Sequence, residues 1–175
     1  TLIGLTRLDA LGLLRARLTG SPAATNEGVW NSGGTLLLRK GQEVSSGVKV
    51  LKITRVWGIN SGQVVAHVTL TGNKQALILR KTDNSLQILI RTGDPAPGLG
   101  SSKITLASLQ AIDVDPVNGH YVILGSLKGA PSSANQALWS GQTTLGDNER
   151  LPALRIRKGE RYCTAVTPSD VIRGL

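Results

Sequence analysis

Three times along this chain an apolar run ends in an arginine, then one variable residue, a glycine and a polar or acidic residue. The copies are Arg39-Lys40-Gly41-Gln42, Arg91-Thr92-Gly93-Asp94 and Arg157-Lys158-Gly159-Glu160. They stand 52 residues (39 to 91) and 66 residues (91 to 157) apart. A second marker lies upstream of each: Leu18-Thr19-Gly20, Leu70-Thr71-Gly72 and Leu127-Lys128-Gly129. A third lies between the two: Gly28-Val29-Trp30, Ala76-Leu77-Ile78 and Ala137-Leu138-Trp139. Three markers in one order, three times over, read as an internal repeat, and a period of this length points to solenoids, propellers or arrays.

The middle copy divides into four short strands. We expect them near Val50 to Trp57, Gln63 to Leu70, Gln75 to Lys81 and Leu86 to Arg91. Gly58 to Gly62, Thr71 to Lys74 and Asp83-Asn84 supply turn residues between them. Val64, Ala66, Val68 and Leu70 alternate with other residues, which puts them on one face of a strand. Arg15-Ala16-Arg17-Leu18 alternates in the same way, with both arginines on the wet face. Tight turns between short strands favour antiparallel hairpins, because parallel neighbours need long crossovers.

The expected fold class is therefore all-β, built from tandem four-stranded antiparallel units and β-propeller-like. One domain of 175 residues would hold repeat 1 at about 1–44, repeat 2 at about 45–98 and repeat 3 at about 99–160. In the tail, 161–175, Val171-Ile172-Arg173-Gly174-Leu175 echoes Leu2 to Leu5 and reads as the start of a further repeat. Three units are fewer than a usual ring. We therefore expect a partial propeller or one completed by oligomerisation; a stack or sandwich of sheets is the alternative. With no Met and a first residue of Thr1, the chain reads as processed or excised from a longer product.

The core must be aliphatic, since there is no Phe and there are only three Trp and two Tyr. No run approaches the 18 apolar residues of a membrane span. Lys and Arg number 20 against 11 Asp and Glu, a net charge of +9. Such a surplus can attract nucleic acid or acidic polysaccharide. The basic pairs Arg39-Lys40, Arg80-Lys81 and Arg157-Lys158 are spread along the chain, however. They read as solvated outer positions, and nucleic acid is not the expected partner.

Gly93-Asp94-Pro95-Ala96-Pro97-Gly98, following the strand that ends at Arg91, resembles the GDPAPG signature of bacterial tandem-repeat proteins with varied C-terminal anchors. Those repeats also carry an Asn-x-x-Gly-x-x-x-Ala-Phe element. Asp9-x-x-Gly12-x-x-x-Ala16-Arg17 resembles it, with Asp for Asn and Arg for Phe. Asn60-Ser61-Gly62 to Ala66-His67 is a version one residue short, and Asn118-Gly119 to Ile123-Leu124 is a looser one. The resemblance implies a secreted or surface-attached propeller-like protein of a bacterium, without an established catalytic role, and transfers no site residue.

Candidate chemistry is sparse. Cys163 with His67 or His120 would be a nucleophile and base. The residues fall in different repeats with no motif around them, so no catalytic residue is assigned and no enzyme is expected. Asp113, Asp115 and Asn118 precede Gly119 and could ligate calcium. The same residue types build a tight turn, which is the plainer reading, and apart from calcium no cofactor is expected. Trp30 and Trp139 hold positions equivalent to Ile78, which argues for core packing; together with Trp57 they are also the candidates for stacking on a sugar. The function expected is a structural or interaction protein of the cell envelope or exterior, associating with itself or another envelope protein through repeat edges and loops. A carbohydrate-binding propeller and a basic anion-binding module are the alternatives.

Overall fold

The computed structural model describes residues 2–3, 12–147 and 149–160. Asp9, Cys163 and the tail 161–175 lie outside the described residues. The protein is all-β, and its helical content among the described residues is one 3-10 turn at Ser132–Ala134. The first sheet contains β1 (Leu2–Ile3), β2 (Leu14–Leu18), β3 (Glu27–Trp30) and β4 (Leu36–Arg39). The second contains β5 (Glu43–Ser45), β6 (Val48–Gly58), β7 (Val64–Leu70), β8 (Lys74–Arg80) and β9 (Leu86–Arg91). The third contains β10 (Thr105–Val114), β11 (His120–Lys128), β12 (Gln136–Gln142) and β13 (Ala153–Arg157). In each sheet the strands lie side by side in chain order and pair antiparallel. The four strands expected between residues 50 and 91 are β6 to β9.

Two compact units contain these sheets. Among the described residues, the first holds sheets one and two as far as Ile90, together with Asp115–Gly119; the second holds Arg91–Val114 and the chain from His120 to Glu160. In the first unit, one aliphatic core joins Leu13, Val29, Leu37 and Leu38 of the first sheet region to Val50, Ile53, Val64, Ala66, Val68, Leu70, Ala76 and Ile78 of the second. Val64, Ala66, Val68 and Leu70 are buried as their alternation predicts. Val65, Leu77 and Leu79 are also fully buried, so the middle sheet is covered on both faces. That explains why β8 reads as a continuous apolar run instead of an alternating one.

The three Arg-x-Gly segments share one local geometry. In each, the fourth residue's N–H donates to the arginine carbonyl: Gln42 to Arg39 at 3.1 Å, Asp94 to Arg91 at 3.3 Å and Glu160 to Arg157 at 3.1 Å. The third-position glycines have φ of +83°, +90° and +84°, a left-handed conformation that a side chain disfavours. Two of the turns also clasp the start of a later strand, β6 for the first and β10 for the second. Gly41 N–H donates to Val50 at 2.7 Å, and Val50 N–H returns to Gln42 at 2.9 Å. Gly93 N–H donates to Leu106 at 2.7 Å, and Leu106 N–H returns to Asp94 at 3.0 Å.

Strand irregularities recur as well. β6 breaks register against β7 between Val50 and Lys52 and between Ile53 and Arg55. β10 breaks register against β11 between Leu106 and Ser108 and between Leu109 and Ala111, the same offsets 56 residues later (50 to 106). The β3–β4 pair shifts between Val29 and Trp30, and β12–β13 shifts between Leu138 and Trp139. Bulges increase local twist and re-aim side chains.

His67 sits mid-β7, between Arg55 on β6 and Leu77 on β8 in register. Its burial holds the imidazole below the ordinary histidine range. The folded chain therefore keeps His67 neutral at a pH where the unfolded chain takes up a proton. This stability is present above the unfolded value of about 6.5 and is lost as pH falls through the lower folded value. The urea midpoint is expected to drop on acidification through this window, and His67→Gln is expected to flatten that part of the profile. An unchanged slope in the variant would show that His67 does not carry it.

Candidate functional site

A groove of about 450 Å³ opens in the first unit. It is lined by Thr25, from the β2–β3 loop, and by Thr35, Leu36 and Leu37, at the start of β4. The turn Arg39 to Gln42, the last residue of β8, Arg80, and Asn84 in the β8–β9 turn complete the lining. Three cations thus converge with two hydroxyls, two amides and an aliphatic patch, without a carboxylate in the lining.

Each cation is held by a neutral acceptor. Arg39 Nε donates to the Thr25 carbonyl at 2.9 Å, and Lys40 Nζ donates to the Ala23 carbonyl at 2.6 Å. Arg80 donates from Nη2 to Asn84 Oδ1. Among the described residues no carboxylate pairs with Arg39, Lys40 or Arg80. Glu27, whose carbonyl accepts from the Lys40 backbone N–H, turns its carboxylate to Arg15 instead. Arg80 is only 9% exposed, and a buried charge facing neutral dipoles alone is costly unless a counter-charge arrives.

The equivalent turns differ at the fourth position. At the second, Asp94 grips Arg91 through both carboxylate oxygens, with Arg91 Nε 3.1 Å from each. At the third, Glu160 accepts from the Arg157 backbone N–H at 3.2 Å. At the first, Gln42 makes that same backbone contact, at 3.0 Å from Arg39 N, but brings no charge. The sequence marks Arg39-Lys40 and Arg80-Lys81 as basic pairs; it does not show that the strand ends bring members of both pairs to one groove. The neutral Gln42, where the other copies have acids, is the available signal.

The three tryptophans occupy different settings. Trp139 is fully buried in the second unit and donates from Nε1 to the Pro97 carbonyl at 3.0 Å. Trp57 is 8% exposed, and the Arg55 guanidinium carbon lies 4.7 Å from its ring centroid, a cation–π contact that caps the ring. Trp30, at the end of β3, is half-buried. Asp115 and Asn118 meet in the β10–β11 turn: Asp115 Oδ1 accepts from Val117 N–H at 2.8 Å, and Oδ2 accepts from Asn118 Nδ2 at 3.0 Å. The Gly119 N–H closes the turn on the Asp115 carbonyl at 2.9 Å. Asp113 lies exposed on β10 opposite Val122. The described residues contain no group of three or more His, Cys, Asp or Glu side chains placed to hold a metal ion. They also contain no helix long and apolar enough to cross a membrane.

No protein-family model, curated protein or solved structure matches this chain.

Proposed function

We propose that this chain is a non-enzymatic structural or interaction protein of the bacterial exterior, a β-propeller-like tandem array that assembles through its repeat edges and loops. The observation that carries the reading is the Arg-x-Gly turn. It recurs in one geometry after β4, β9 and β13, and after β4 and β9 it clasps the start of the next long strand. Such a clasp is main-chain pairing with a strand edge, and the same pairing is the means by which copies would associate. An unpaired strand edge is a ready template for that pairing. The resemblance of Gly93 to Gly98 to the GDPAPG signature supports the exterior setting.

Sedimentation velocity across the micromolar range tests the assembly. Concentration-dependent growth beyond one chain is the expected result. A strict monomer throughout would overturn it. A second reading, a basic anion-binding module, is favoured by the uncompensated cations of the groove, and it stands independently of self-association.

A further inference from the structure

We propose that the groove bounded by Arg39, Lys40 and Arg80 binds an acidic oligosaccharide, its carboxylate or sulfate groups seated on these three cations. This rests on reading the groove as an anion site and names the ligand class.

Arg80 is buried, its polar partner is the neutral Asn84 carbonyl, and Arg39 and Lys40 add two further cations to the same lining. An arriving anion exchanges neutral contacts for charge-assisted ones, which are shorter and stronger. The fixed guanidinium fork suits the paired oxygens of a carboxylate or a sulfate. At the second turn Asp94 already satisfies Arg91, whereas at the first the neutral Gln42 supplies no counter-charge to Arg39.

The neutral lining then selects among anions. Thr25, Thr35, Gln42 and Asn84 offer hydroxyls and amides, which exchange hydrogen bonds with sugar hydroxyls. The lining holds no aromatic ring, so a nucleobase finds no stacking platform. Its apolar part is Leu36 and Leu37, of which Leu36 is 43% exposed; this matches the small apolar face of a sugar better than an acyl chain. The volume lies within the usual range of small-ligand sites.

The test is calorimetric titration of the full chain at low salt with a heparin-derived tetrasaccharide. A neutral cello-tetraose, inorganic sulfate and a short oligothymidylate are run alongside. Saturable binding of the acidic tetrasaccharide is expected, weakened about tenfold in Arg80→Gln and by a similar factor in Lys40→Gln. Lys40→Gln keeps the test decisive if Arg80→Gln fails to fold. Lys103→Gln, an exposed lysine outside the groove, removes the same charge and is expected to change affinity little. Tetrasaccharide binding that Lys40→Gln and Lys103→Gln weaken equally would overturn the site. Binding of sulfate or oligothymidylate as tight as the tetrasaccharide would overturn the glycan assignment while leaving the anion reading in place. No binding of any anion would remove both.

Discussion

Trp139→Ala is expected to lower the unfolding free energy by about 3–5 kcal/mol, the usual cost of truncating a large buried aromatic. The indole is fully buried, so the deletion removes transfer energy and leaves a cavity. It also removes the donor to the Pro97 carbonyl. That carbonyl belongs to the segment Gly93 to Gly98, whose Ala96 N–H donates to Ile104 at 2.9 Å. Loss of the tryptophan therefore loosens the segment as well as the core. Urea denaturation monitored by far-UV circular dichroism measures the effect. Trp30→Ala, at a half-buried position, is expected to cost clearly less. Equal costs for the two would contradict the difference in their burial.

Gly41→Ala is expected to destabilise the first unit by about 2–4 kcal/mol, from two sources that add. The backbone sits at φ +83°, where a Cβ is unfavourable by about 1–2 kcal/mol. The new carbon would also lie 2.9 Å from the Ala24 carbonyl oxygen, a backbone atom that cannot swing aside. Gly47→Ala separates the two contributions. Its φ is +73°, yet nothing lies within 4 Å of the added carbon, so only the conformational cost applies. Urea midpoints of the two variants measure the difference. If Gly41→Ala proved no worse than Gly47→Ala, the close approach of the β2–β3 loop to the turn would be wrong.

The middle four strands were legible because alternation and turn residues agreed. Val64 to Leu70 gave the buried face, and Gly62, Asn73 and Asn84, all at positive φ, sit in the turns. The short strand β5 was not legible, since Glu43–Ser45 has no apolar pattern and is held by pairing with the start of β6. Equivalence to Ile78 pointed Trp139 to the core, and it lies there. Trp30 shares the position but retains exposure, at the end of a strand only four residues long. The groove was hidden for a different reason. Arg39 and Arg80 are 41 residues apart (39 to 80), and periodicity places a residue on a face without saying which strand ends meet.

The chain-order arrangement of every sheet has a kinetic consequence. Each strand finds its neighbour across a short loop, so little chain must be immobilised before the first contacts form, and the entropy of closure stays small. All-β proteins are usually slow to fold because distant segments must meet. Here a sheet can zip up hairpin by hairpin as it leaves the ribosome, before the rest of the chain has been made.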